Sequence, residues 1–82
     1  MSRSIFVGNL PYSAGERDVS GLFGRCGQVV NVKIVRDRET GRPRGFGFCE
    51  FETDEGANVA VQSMDGVEFM GRTLRVDRAN SR

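Results

Sequence analysis

Three phenylalanines stand where their rings could do chemistry rather than fill a core. If Arg44-Gly45-Phe46-Gly47-Phe48-Cys49-Glu50-Phe51 is a strand, one face shows Gly45, Gly47, Cys49 and Phe51, and the other shows Arg44, Phe46, Phe48 and Glu50. A buried face does not easily hold Arg44 and Glu50, so Phe46 and Phe48 belong to the solvent side. Ser4-Ile5-Phe6-Val7-Gly8 repeats the pattern: with Ile5 and Val7 inward, Phe6 points out beside Gly8. Burial would stabilise each ring by roughly 1.5–3 kcal/mol, so three left outside forgo an amount comparable to a small domain's whole margin of stability. The bland account is that an unseen segment or a partner chain covers them. The sharper account is that they serve as platforms for flat ligands, since stacking a base on an aromatic ring is worth about 1–3 kcal/mol. Gly8 and Gly47 are expected to leave space above and below the rings. Arg44 on the same strand, with Lys33 and Arg75 from other strands, brings cations to the same side. Aromatics interleaved with cations on one open face describe a surface for single-stranded nucleic acid.

The elements that must carry these residues follow from hydrophobic period. Ser4–Gly8 reads as a strand closed by Asn9-Leu10-Pro11-Tyr12, because Pro11 cannot continue a ladder. Val19, Leu22, Phe23 and Cys26 fall on one helical face, with Gly27 as the expected terminator. Val29 to Val35 is rich in β-branched residues, with Val30, Val32 and Ile34 assigned to one face of a strand and Lys33 to the other. Asp37 to Pro43 reads as a hairpin loop and Arg44 to Glu52 as the third strand. Thr53 is placed to cap a second helix carrying Ala57, Ala60, Val61 and Met64, ended by Asp65-Gly66. Thr73-Leu74-Arg75-Val76 is a last strand with Leu74 and Val76 inward. The order β-α-β-β-α-β predicts an α+β fold, the split βαβ (ferredoxin-like) sandwich, with one four-stranded antiparallel sheet backed by two helices. Two helices cover one face of such a sheet, which leaves the face of Phe6, Phe46 and Phe48 open.

Composition bounds the alternatives. The 82 residues suffice for one domain, residues 1–82, with a core over about 4–78 and short flexible ends. Twelve Lys and Arg against eleven Asp and Glu leave a formal charge of +1, but the charge is in blocks: +3 over residues 31–49, −6 over 50–71 and +3 over 72–82. If the basic blocks meet on the aromatic side, the acidic block falls on the second helix behind it. There is no histidine, and Cys26 and Cys49 are too few for a zinc site or a disulfide scaffold; both fall on inferred core faces as small hydrophobes. No apolar run approaches the roughly 20 residues of a membrane span, and nothing after Met1-Ser2-Arg3-Ser4 resembles a signal peptide. The expectation is a small intracellular module without metal or cofactor, and not an enzyme, since no nucleophile–base pair is apparent.

These residues carry a family resemblance. Ile5-Phe6-Val7-Gly8-Asn9-Leu10 resembles the hexamer, and Arg44 to Phe51 the octamer, of the RNA-recognition motif (RRM), at a spacing usual for it. The resemblance implies that Phe6 and Phe48 each stack a base, that Phe46 packs between adjacent sugars, and that Arg44 binds a backbone phosphate. It further implies base reading around Lys33, Arg75, Asp77, Arg78 and Ala79, with Arg38 and Arg42 on the Asp37–Pro43 loop reaching around the RNA. Within the family, Asp37 to Gly45, Gly47 to Glu50 and Leu74 to Asp77 resemble the RNA-binding subunit of cleavage stimulation factor, which binds GU- or U-rich RNA in mRNA 3′-end processing; Arg78 replaces the asparagine expected there. Similar loops occur in glycine-rich and splicing-type members. The implied partner is single-stranded RNA, bound by a monomer in mRNA processing, in the nucleus or shuttling to the cytoplasm. Single-stranded DNA is the rival ligand, since stacking needs no 2′-hydroxyl. A protein partner on the acidic helical face is the rival function, and self-association through the sheet would also bury the rings. Tyr12 stays open between packing and contact, and Phe69 is expected to pack over the core edge.

Overall fold

Alternating residues in the strands and a heptad-like stripe in each helix force two layers. The computed structural model describes residues 3–79, so the expected flexible ends lie largely outside the described residues. Strand β1 (Ser4–Gly8) is followed by helix α1 (Glu16–Phe23), β2 (Val29–Arg36), β3 (Pro43–Phe51), helix α2 (Asp54–Met64), β4 (Glu68–Phe69), β5 (Arg72–Thr73) and β6 (Arg75–Arg78). The main sheet is antiparallel with order β2-β3-β1-β6. The α+β sandwich expected from the sequence is therefore the architecture.

The inward residues meet in one core. Ile5, Val7, Ile34, Cys49, Phe51, Leu74 and Val76 from the sheet pack on Val19 and Phe23 of α1 and on Ala57, Ala60 and Met64 of α2. Phe23 and Phe51 meet edge to face, their centroids 6.5 Å apart, the arrangement aromatic quadrupoles favour. Cys49 is fully buried, and burial, with Cys26 nearby, pushes its thiol up to about 12, so at neutral pH it stays a neutral, apolar thiol. Cys26 is half-buried against the core, its Sγ 3.9 Å from Ser63 Oγ. Phe69 also packs half-buried on the core.

Local chemistry sets the element ends. Asp18 Oδ2 accepts the Gly15 N–H at 2.9 Å at the start of α1. The helix stops at Phe23, with Gly24 as its C-cap, not at Gly27; Cys26 lies in the following turn, its N–H donating to the Phe23 carbonyl. Thr53 Oγ1 accepts the Gly56 N–H at 3.1 Å and caps α2 as expected.

Two expectations fail at irregularities that alternation does not reveal. The β2–β3 register shifts between Val29 and Asn31, so two residues of β2 oppose one of β3. Val30 is consequently 53% exposed and Val29 takes the inward place beside Val32 and Ile34. The C-terminal run is not one strand: β4 and β5 form their own small hairpin through Met70 and Gly71, both at positive φ (51° and 88°), and the main-sheet strand begins only at Arg75. Leu74 and Val76 are nonetheless both buried.

Gly47 sets the spacing of two strands within the sheet, and Arg78 ties the sheet to a helix. A Cβ on Gly47 would lie 2.5 Å from the Lys33 carbonyl oxygen, so only glycine lets β3 run this close to β2. Arg78 turns to the helical side, where its guanidinium pairs with Asp54 and reaches Asn58 Oδ1 at 3.4 Å, tying β6 to the start of α2. In urea denaturation, Gly47→Ala is expected to lower stability by about 1–3 kcal/mol, the usual cost of overpacking; an unshifted midpoint would show that the strands separate freely. Arg78→Ala is expected to lower it by about 0.2–1 kcal/mol, as for a partly exposed ion pair, and no change would mean that the pair holds nothing.

Candidate nucleic-acid interface

Strand register assembles the site. Phe48 lies opposite Phe6 across β3 and β1, Lys33 opposite Phe48 from β2, and Asp77 opposite Phe6 from β6. The open face therefore carries a transverse row Lys33–Phe48–Phe6–Asp77. The next row holds Phe46, Gly8 and Arg75, because Gly8 pairs with both. Six of the expected site residues thus come together, the three rings at their centre: Lys33, Phe6, Phe48, Asp77 and, one row along, Arg75 with Phe46.

The rings are less stranded than their sequence positions imply. Phe6 lies 5.8 Å from Phe46 and 5.9 Å from Phe48, centroid to centroid, tilted to the first and edge-on to the second. This mutual cover leaves Phe6 and Phe46 half-buried, while Phe48 is 38% exposed. Gly8 does not hold open space. A Cβ there would meet Phe6 Cε2 at 2.8 Å, because the Phe6 ring leans over Gly8 towards Phe46. Gly47, on the opposite face, meets the β2 backbone rather than the rings.

Three residues depart from their expected places. Arg78 belongs to the helical side and is engaged by Asp54, because it is one residue out of phase with Asp77. Ala79 donates its N–H to the Ser4 carbonyl, so that group is not available to a base. Arg44 does not continue the Phe46 face: the β2–β3 register shifts again between Ile34 and Arg36, and Gly45 has φ +90°. Arg44 lines instead a groove of about 670 Å³ with Tyr12, Asp37, Thr40, Arg42 and Pro43. Arg38 is exposed on the loop beside it. Among the described residues no ion pair engages Lys33, Arg38, Arg42, Arg44 or Arg75.

The loop wall of the groove is ordered by Asp37. Its Oδ1 accepts the Glu39 N–H at 2.7 Å and the Thr40 N–H at 3.2 Å. These two bonds, helped by Arg44, hold the Asp37 carboxyl below its usual range. Its backbone N–H donates to Arg42 O and its carbonyl accepts from Gly41, closing the loop. Sequence reasoning left Tyr12 undecided and missed the role of Asn9 at the end of β1. Tyr12 is 72% exposed; its only signal was an aromatic in a polar turn. Asn9, at φ 61°, accepts Arg72 Nη2 at 2.6 Å and Nε at 3.2 Å and donates to Thr73 O at 2.6 Å, clasping the β4–β5 hairpin to the end of β1. No sequence periodicity pairs residues so far apart.

Comparison with known proteins gives this geometry a family. The profile described as RNA recognition motif matches residues 5–75. The human cleavage stimulation factor subunit 2 tau variant is 51% identical over 79 residues, 96% of this chain; the chain spans only 13% of that protein's length. The putative RNA-binding protein RbpE of Nostoc sp. is 48% identical over 79 residues, covering 96% of this chain and 80% of its own. Among solved structures, RNA-binding protein PG1 superposes with a TM-score of 0.93 at 44% identity, covering 99% of this chain and 98% of that one. The Rna15 RRM with bound RNA (GU) superposes with a TM-score of 0.87 at 31% identity, covering 99% and 86%. With the profile spanning both ring-bearing strands and most of the sheet, the chain belongs to the RNA recognition motif family.

Proposed function

We propose that the open sheet face binds short single-stranded RNA in a sequence-selective way, as a monomer and without cofactor, in nuclear mRNA processing, with 3′-end formation as the step. The row Lys33–Phe48–Phe6–Asp77, with Phe46 and Arg75 beside it, carries this reading. Two rings a strand apart offer π-faces to successive bases. Phe46 stands where a sugar would pack, and Lys33 and Arg75, which no ion pair engages among the described residues, flank the track. Asp77 offers a carboxylate oxygen at the end of the row; Oδ1 already accepts the Arg78 N–H at 2.8 Å. Arg38, Arg42 and Arg44 would meet phosphates from the groove end. The 3′-end assignment is supported by the 51% identity to cleavage stimulation factor subunit 2 and by the GU ligand of the Rna15 relative.

Selection from a random single-stranded RNA pool, run beside the matching DNA pool, tests the reading. A GU- or U-rich motif enriched from RNA is the expected result. A purine motif would move the protein to splicing regulation, and equal enrichment from DNA would remove the preference for RNA. Phe48→Ala is expected to weaken binding by about 1–3 kcal/mol with the melting curve unchanged, because the ring lies outside the core; a mutant that unfolds would show that the ring supports the fold instead. Arg44→Ala is expected to weaken all sequences alike and to lower the slope of log affinity against log salt by about 1, whereas Arg78→Ala should leave that slope unchanged.

A further inference from the structure

Beyond Phe48 the open face carries an acid that stacking and phosphate binding do not use. Glu50 lies opposite Ser4 of β1 and Asn31 of β2, so a third transverse row, Asn31–Glu50–Ser4, crosses the sheet. Glu50 shares the phase of Phe46 and Phe48, whereas Cys49 and Phe51 on either side of it are buried in the core. It follows Phe48 by two residues, roughly 7 Å along the strand, and is half-buried there. Lys33 stands diagonal to it, opposite Phe48. Even so, among the described residues no ion pair or hydrogen bond engages the Glu50 carboxylate. Asp77, the acid at the other side of the face, differs, because its Oδ1 already accepts the Arg78 N–H. A carboxylate at Glu50 repels the phosphates that Lys33 and Arg75 attract, and only donors can satisfy it. Single-stranded RNA carries its donors on base edges and 2′-hydroxyls, not on its phosphates.

Base edges differ in what they offer such a group. Guanine presents two adjacent donors, N1–H and the N2 amine, beside the acceptor O6. Uracil presents one donor between two acceptors, and adenine would set its N1 lone pair against a carboxylate oxygen. The exposed Asn31 amide, opposite Glu50, adds a donor to the two carboxylate oxygens. Together they reproduce the donor–acceptor–acceptor edge of cytosine, the pairing partner of guanine. On these grounds, and resting on the RNA-binding reading above, we propose that Glu50 is a specificity-determining residue that selects guanine at the nucleotide on or next to Phe48, with Asn31 reading O6. Partial burial sharpens the choice, because a base that leaves a carboxylate oxygen unmet bears the cost of taking charge from water. The rings accept any base by stacking; Glu50 chooses among them.

Single-atom changes in the base separate this reading from stacking. The RNA oligomers UUGUU, UUUUU and UUIUU, with inosine at the centre, are titrated against the wild-type chain, Glu50→Gln, Glu50→Ala and Asn31→Ala. Inosine keeps O6 and N1–H and lacks only the N2 amine. In the wild type UUGUU is expected to bind about tenfold more tightly than UUIUU, the worth of one hydrogen bond to a charged acceptor. That ratio is expected to shrink in Glu50→Gln, which keeps the size and one accepting oxygen, and to vanish in Glu50→Ala. Affinity for UUUUU should be retained in both variants, since stacking on Phe6 and Phe48 does not use the carboxylate. Asn31→Ala should weaken UUGUU and UUIUU by the same factor, because both purines keep O6; wild-type affinity for both in that variant would overturn the part given to Asn31. A wild-type ratio near one, a ratio unchanged in Glu50→Ala, or an equal loss for all three oligomers in Glu50→Ala would overturn the assignment of Glu50 while leaving the sheet's role standing. Absence of binding by every oligomer to the wild type would instead overturn the RNA-binding reading itself.

Discussion

The register of β1 against β3 is the constraint on which the site depends. Phe6 opposite Phe48 places two rings side by side on one face, and the same pairing places Ile5 opposite Cys49 and Val7 opposite Gly47 on the other. A slip of one residue would exchange the faces, sending the phenylalanines into the core and Ile5 and Val7 into water. The apolar inner residues therefore specify the outer surface. Their burial against α1 and α2 fixes where the rings must stand, so selection for a stable core and selection for a ligand-binding face act on the same backbone alignment.

That alignment also explains how exposed aromatics are tolerated. Phe6 leans over Gly8 and covers Phe46 and part of Phe48 at centroid distances below 6 Å. Pairs of this kind contribute about 0.5–1.5 kcal/mol beyond their area, which offsets part of what each ring forgoes by staying outside. A cluster that supports itself needs no helix above it. It stays open to a ligand and still presents its rings in set orientations, so little rotamer freedom remains to be lost when a base arrives.

Much of this was readable from the chain, and the rest was unreadable for particular reasons. Period two in Arg44–Phe51 and period 3.6 in Val19–Phe23 gave the layers, the open face and its three rings. Val30, Arg44 and the β4–β5 hairpin escaped because each sits at a register shift or a positive φ, where alternation loses its phase. Gly8 and Gly47 were recognised as special but for the wrong reason: one accommodates a leaning ring and the other a neighbouring backbone. Arg78 and the Asn9–Arg72 clasp depend on contacts between residues 24 and 63 apart in sequence, which no local pattern encodes.

Arg44 and Arg78 show how the fold distributes one residue type between two tasks. Both are arginines on strands beside the aromatic rows, and charge alone would send both to a phosphate. Arg78 shares the phase of Ile5, its partner in the sheet, and so emerges on the helical side, where Asp54 meets it. Arg44 precedes the break at Gly45 and is delivered to the groove, where Asp37 is already engaged by Glu39 and Thr40 N–H groups and so competes less for the guanidinium. A carboxylate satisfied by backbone donors can shape a basic loop without neutralising it. The strand phase thus decides which arginine stabilises the protein, and the neighbouring acid's existing bonds decide which remains available to an anion.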